Sequence, residues 1–333
     1  MPGGQNWQRY AAPVPGALIA IGGAEDKLGR RKILGEFVRL AGGADARLAV
    51  ISTASALGDQ ATEVYRSVFS GYGVSDVRGL RPVTRQEAGD PATVGQLDGV
   101  TGVFMTGGNQ VRLSTVVAGT ALGDALLAAN AAGAVVGGTS AGASALTSHM
   151  VAFGAGGAVP RQRMAQLCAG LNLLPGMIID QHFEQRTRIG RLMALVALSP
   201  SLLGIGVDED TAAVFPPDGT FHVIGKGAVT VVDGREVESD AYEANQTARI
   251  MVSGAVLHSL PAGWRFDLAA RKVAGRADAA DDDRPPRART PVAPTAARLA
   301  RRMAAEGADD RVVQRNARQR ARRAVAREEE ASE

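Results

Sequence analysis

Between residues 16 and 176, short apolar runs alternate with stretches of helical spacing. GALIAIGG (16–23), LAVISTAS (48–55), GVFMTGG (102–108) and AVVGGTS (134–140) are nearly continuous apolar segments that end in Gly, Ser or Thr. Between them, RRKILGEFVRLAGG, ATEVYRSVFSGYG and an Ala/Leu/Val-rich stretch from about Gln110 carry their large residues at helical intervals. Strands that are apolar along their whole length suit a parallel sheet covered on both faces, and helices between them supply the right-handed crossovers. The pattern predicts an α/β fold, a doubly wound parallel sheet with its loops gathered at the C-terminal edge.

After residue 176 the pattern changes. MIIDQHF (177–183) reads as a strand and RIGRLMALVALS (188–199) as a helix. LLGIGVDEDTAAVF, FHVIGKGAVTVVD and ARIMVSGAVLHSL then follow in succession, with turn residues between them. This predicts an antiparallel C-terminal extension packed beside the parallel sheet. The expected organisation is a flexible lead over 1–15, one catalytic domain over 16–275 and an Arg/Ala-rich tail over 276–333. That tail has no Phe, Trp or Tyr and few large apolar residues, so it is expected to be disordered or to form an isolated, mostly exposed helix. Truncation after Gly275 is accordingly expected to leave the melting temperature unchanged.

Composition narrows the function. With 45% apolar and 21% charged residues the chain resembles an ordinary globular protein, and its single cysteine, Cys168, excludes an intramolecular disulfide or a thiolate metal cluster. The net charge of +3 resides in the tail, where 14 arginines face 11 acids, and the other 275 residues carry 23 charges of each sign. A neutral domain gives no electrostatic footprint for nucleic acid. No secretory signal or apolar span is legible, so the cytoplasm is the expected compartment and no membrane contact is expected.

The strongest chemical signal is Gly138-Thr139-Ser140-Ala141-Gly142, entered by an apolar strand and left by the small-residue run AGASAL. Bare G-x-S-x-G sequences are common, but strand–turn–helix is the context that a nucleophile elbow requires. The Ala141 N–H at the following helix start can then stabilise an oxyanion. Four histidines are available as base. His182 closes the DQH strand over the sheet edge, whereas His149 falls inside the helix after Ser140 and would point away. His222 and His258 alternate with apolar residues. Asp208, Glu209 and Asp210 close the next apolar strand, and alternation puts Glu209 on the face opposite its neighbours. The order Ser, His, acid differs from that of α/β-hydrolases.

GALIAIGGAED, FMTGGNQ, GGTSAGA, DQHFEQRTRIGRL and GIGVDEDTA, in this order, resemble the cyanophycinase family of serine exopeptidases, which also contains α-aspartyl dipeptidase. The resemblance spans residues 16–265. It implies a flavodoxin-like sheet similar to that of class I glutamine amidotransferases, with serine in place of cysteine at the elbow. It also implies Ser140 as nucleophile, His182 as general base and Glu209 as its orienting acid, with Gly108 and Ala141 as oxyanion donors. Gln110, Asp180, Gln181, Arg186, Arg188 and Arg191 match positions associated with substrate binding. Asn109 stands where the family often has an acid, a modest change at the pocket rim.

Arg188 and Arg191 are three apart and would share a helix face, with Arg186 nearer the catalytic end, a placement suited to holding a substrate carboxylate. The implied substrate is cyanophycin, multi-L-arginyl-poly-L-aspartate, cleaved to β-Asp-Arg dipeptides without metal or organic cofactor by a homodimeric enzyme. Two rivals stand beside this reading. One is an α-aspartyl dipeptidase of the same family, and the other is a non-catalytic binding protein that uses the elbow as a ligand cradle.

Overall fold

The computed structural model describes residues 15–277 and 288–308, with side chains to residue 304. The lead to residue 14, the Asp/Pro/Arg run 278–287 and the segment 309–333 lie outside the described residues. Strands β1 (Leu18–Ile21), β2 (Arg47–Ile51), β3 (Asp76–Leu80), β4 (Gly102–Met105) and β5 (Val135–Thr139) lie in the order β1-β5-β4-β2-β3, all parallel. All residues of β1, β4 and β5 are buried, which accounts for their unbroken apolar runs.

Helices cover both faces, giving the doubly wound α/β architecture. On one side lie α1 (Lys32–Leu40) and α2 (Asp59–Ser70), where Phe37, Tyr65 and Phe69 close on Phe104 of β4. The Tyr65 and Phe104 ring centres are 4.7 Å apart, and Phe37 meets Phe104 edge-on at 5.3 Å. On the other side lie α3 (Arg85–Gly89), α4 (Pro91–Val94), α5 (Gln110–Val117) and α6 (Ala121–Ala131). Leu113, Val117, Leu122 and Leu126 fill the second core there. A short α7 (Ala141–Ala145) follows β5 directly.

A hairpin of β6 (His149–Gly154) and β7 (Ala165–Ala169) comes next. The expected strand of His182, β8 (Met177–Gln181), pairs in parallel with β9 (Leu203–Val207), and α8 (Ile189–Leu198) connects them. The chain then builds two antiparallel extensions. β10 (Thr211–Phe215) and β11 (Thr220–Gly225) continue the main sheet from β1, whereas β12 (Ala228–Asp233) joins β9. β13 (Glu238–Ser239) and β14 (Val252–Ser253) pair only with each other. β15 (Val256–Pro261) completes a four-stranded sheet β15-β12-β9-β8, and β16 (Trp264–Asp267) and β17 (Lys272–Arg276) complete a nine-stranded main sheet. His182 thus belongs to a second sheet beside the one that carries Ser140. Among the described residues, no single helix is long and apolar enough to cross a membrane.

Two expectations need correction. His149 is exposed at the start of β6, because α7 ends at Ala145 and the Thr147 hydroxyl turns the chain by bonding the Ser144 and His149 carbonyls. The helix in the tail, α9 (Pro294–Ala308), is not isolated either. Val292, Ala296, Leu299 and Ala300 are buried in the core that α1 and α2 share. Backbone bonds from Arg289 to the Gly71 carbonyl (2.6 Å) and from Ala293 to Ser67 Oγ (3.0 Å) fix the approach. Truncation after Gly275 therefore exposes an apolar strip of α2, and it is expected to lower the melting temperature by about 4 °C or more. Thermal unfolding of the two chains checks this, and an unchanged midpoint would mean that α9 contributes no packing.

Candidate active site

β5 delivers Ser140 at a sharp turn. Its φ of 51° and ψ of −108° are unusual for a side chain with a Cβ, and they aim the hydroxyl outward just before α7. The motif glycines permit the turn. A Cβ on Gly138 would lie 2.3 Å from the Gly142 carbonyl, and one on Gly142 would lie 2.4 Å from the Met105 carbonyl oxygen. Ala141 opens α7, so its N–H has no partner within the helix.

Ser140 Oγ is 2.9 Å from His182 Nε2, and His182 Nδ1 is 2.6 Å from Glu209 Oε1. The carboxylate can only accept, so Nδ1 carries the proton and Nε2 is left as acceptor for the serine hydroxyl. Burial of the ring lowers the His182 pKa, as do the charges of Arg186 and Arg188, against the raising effect of the Glu209 bond. The hydrogen bond to His182 in turn lowers Glu209, against partial burial. The site therefore pairs a neutral imidazole with an ionised carboxylate near neutral pH. His182 needs close quarters, since a Cβ on Gly23 would lie 2.3 Å from its Cε1.

Three consecutive carbonyls at the end of β1 hold these segments. Ile21 O accepts from Ser140 N at 2.9 Å, Gly22 O from His182 N at 2.8 Å, and Gly23 O from Asp210 N at 2.9 Å. Ser140, His182 and Asp210 all have positive φ, of 51°, 47° and 48°.

The chain matches Peptidase family S51 over residues 18–224. This chain belongs to peptidase family S51. It is 38% identical over 260 residues to a cyanophycinase of Synechococcus elongatus, covering 78% of this chain and 81% of that one. It is 41% identical over 220 residues to a cyanophycinase of Geminocystis herdmanii, covering 66% and 81% respectively. A solved peptidase from an acI-B1 Actinobacterium superposes with a TM-score of 0.58 at 18% identity, over 78% of this chain and 99% of that one, a likeness of fold.

Around the relay of this S51 serine-type peptidase, the other sequence-derived positions divide. Gly107 packs against Ser140, its hypothetical Cβ 3.3 Å from Ser140 Cβ, which brings the Gly107-Gly108 backbone to the hydroxyl. Gly108 has a φ of 137°, and a Cβ there would collide with Ala54 O at 2.0 Å. Gln181 is buried with Oε1 3.5 Å from Ser140 Oγ. Gln110 spends its amide N–H groups on the Val151 and Ala152 carbonyls of β6. Asn109 Oδ1 caps α5 by accepting from Arg112 N. Arg186 is half-buried near His182 and remains a candidate for a substrate carboxylate.

Asp180, Arg188 and Arg191 are different. They are buried and committed to one another, with Asp180 0% exposed and the arginines 4% and 3%. Arg191 grips Asp180 with Nε at 2.6 Å and Nη2 at 2.5 Å, and Arg188 Nη1 adds a bond at 3.0 Å. Arg188 also donates to the Gln181 carbonyl and Arg191 to that of Gly154. Burial would raise Asp180, but the charges of Arg191 and Arg188 outweigh it and keep its pKa lowered, and burial pulls Arg188 down to about 10. These side chains brace the segment that carries His182.

A second buried charge escaped the sequence reading. Glu25, 3% exposed, accepts from Tyr65 Oη at 2.6 Å and Thr139 Oγ1 at 2.5 Å and pairs with Lys27 Nζ at 2.8 Å. It fixes Thr139, the residue before Ser140, to α2. The available signal was an acid two residues beyond a strand-ending Gly-Gly in a chain with only four lysines, one of them two positions later.

The burial of Asp180 generates a discriminating prediction. Asp180→Asn leaves two buried guanidinium groups uncompensated and is expected to cost about 3–5 kcal/mol of folding stability. Chemical denaturation measures it. An unchanged midpoint with a raised KM would return Asp180 to the substrate-contacting set.

Proposed function

We propose that this chain is a serine exopeptidase that hydrolyses cyanophycin and releases β-Asp-Arg dipeptides through an acyl-enzyme. The observation that carries the reading is the continuous relay from Ser140 Oγ to His182 Nε2 and from His182 Nδ1 to Glu209 Oε1, at 2.9 and 2.6 Å. Relatives at 38–41% identity that bear the name cyanophycinase support the choice of substrate. A binding protein would have no need of a neutral base aligned on a strained, outward-facing serine.

In this mechanism His182 Nε2 takes the Ser140 proton as Oγ attacks the scissile carbonyl. Glu209 holds the ring and stabilises the imidazolium that forms. The N–H groups of Ala141 and Gly108 donate to the developing oxyanion, with the positive end of α7 behind Ala141. The imidazolium then protonates the departing amine, leaving an ester on Ser140. Water enters the same face, loses a proton to His182 and displaces the serine, which restores the starting state. Arg186, whose charge acts on both His182 and Glu209, is the residue assigned here to a substrate carboxylate.

Purified protein incubated with cyanophycin is expected to release β-Asp-Arg, identified by mass analysis of the soluble products. Intact polymer beside cleaved aspartyl dipeptides would favour the dipeptidase reading. Ser140→Ala is expected to lower kcat by about 10⁴–10⁶ with the fold retained. More than a tenth of normal activity would sink the assignment of the nucleophile. His182 must be neutral to act, so kcat/KM should fall as pH drops through a value below the ordinary 6.5 of histidine. Glu209→Gln removes an interaction that raises the His182 pKa, so it should move that acid limb further down as well as slow turnover. A limb that stays in place would separate Glu209 from the base.

A further inference from the structure

The β6–β7 hairpin carries a feature that the catalytic relay does not use. Its connecting segment, residues 155–164, encloses an open cavity of about 570 Å³ with Gly154–Val159, Met164 and Thr247 on its walls. Sites for small molecules and peptide groups commonly occupy about 300–1,000 Å³. The charged residues of the lining are Arg161 and Arg163, and no acid lines it.

The segment is fixed on both sides. Gly157 N donates to Thr187 O at 2.6 Å, and Gly190 N donates to Gly157 O at 3.0 Å, tying it to the chain that follows His182. On the far side Gln162 N donates to Ala248 O at 2.9 Å, its side-chain amide donates to Ala241 O, and Ile250 N donates to Pro160 O at 3.2 Å. With Gln162 committed to these contacts, the exposed Arg161 and Arg163 are left to give the cavity its charge, and Arg163 is held at a φ of 55°. The cavity wall also abuts the segment that follows His182. Gly156 packs so tightly on the Arg186 backbone that a Cβ there would lie 2.2 Å from Arg186 O, and Arg186 N donates to His182 O at 3.1 Å.

We propose that this cavity is a subsite for a polymer unit beyond the cleaved bond, with Arg161 and Arg163 receiving the α-carboxylate of its arginine. The inference rests on the cyanophycin reading above and deepens it. In a β-Asp-Arg unit the arginine is acylated on its α-amino group, so every unit keeps a free α-carboxylate as well as a guanidinium. Two guanidinium groups with no competing acid bind carboxylate strongly and in fixed orientation. The glycine walls admit the aspartyl backbone closely, and the open side leaves the substrate guanidinium in water. A polymer is thereby held at two places, its reacting unit at Ser140 and a neighbouring unit at the hairpin.

The test compares the unaltered enzyme with Arg161→Ala/Arg163→Ala, and with Arg30→Ala/Lys272→Ala as a variant of equal charge loss on exposed positions elsewhere. The first variant should raise KM for solubilised cyanophycin about tenfold with kcat changed less than twofold, and the second should leave KM in place. An unchanged KM in the first variant, or an equal rise in both, would overturn the subsite. So would a fall in kcat that accounts for the whole loss. Failure of the unaltered enzyme to cleave the polymer would instead remove the functional reading itself, and the subsite with it.

Discussion

The site depends on the backbone at the end of β1. Three successive carbonyls, of Ile21, Gly22 and Gly23, hold Ser140, His182 and Asp210, the neighbour of Glu209. Successive peptide units of an extended strand alternate in direction, so neighbouring carbonyls can serve segments arriving from different sides. β1 lies between parallel β5 and antiparallel β10, and it meets the second sheet where β8 and β9 end. Two sheets are thus registered against each other by hydrogen bonds from one strand end, and the 2.9 Å contact from serine to histidine spans that junction. Positive φ at Ser140, His182 and Asp210 is the local cost of turning each chain inward at this point.

Two buried charged groups stiffen the arrangement from behind. Glu25 ties the residue before Ser140 to α2 and to Lys27, and Asp180 ties the strand before His182 to the start of α8 through two arginines. Neither carboxylate faces the reacting atoms. Each is met by three donors, which is what allows an ionised group to remain in a dry interior. The segments that carry Ser140 and His182 are thus each anchored by a buried ionic cluster.

Much of this was legible in the sequence. Unbroken apolar runs such as LIAI and VVGG marked the buried parallel strands, and the strand–turn–helix context around Ser140 marked the elbow. Glu209 was named through the family resemblance and not by strand alternation, because β9 ends at Val207 and residues 209 and 210 form a turn, with Asp208 accepting from the Glu184 and Ala228 N–H groups and Asp210 from that of Asp26. What was illegible followed from partners distant in sequence. Arg188 and Arg191 looked like solvent-facing ligand groups because nothing local announces that Asp180 is buried between them. The packing of α9 was hidden because Ala296 and Ala300 contribute by fitting closely, not by bulk. In the run AGASALTSH the helix stops at Ala145, where the Thr147 hydroxyl bonds the Ser144 and His149 carbonyls.

The end of β1 also sets when the enzyme becomes active. Residue 21 waits for 140, residue 22 for 182 and residue 23 for 210, so the relay is built wholly from contacts remote in sequence. Such contacts form late, after the loops between them have been closed. During synthesis the serine emerges long before its acid partner, and β12, which flanks β9, follows later still. A growing chain therefore carries an inert hydroxyl until the second sheet has assembled against the first. The relay from Ser140 to Glu209 is complete only once the second sheet stands against the first.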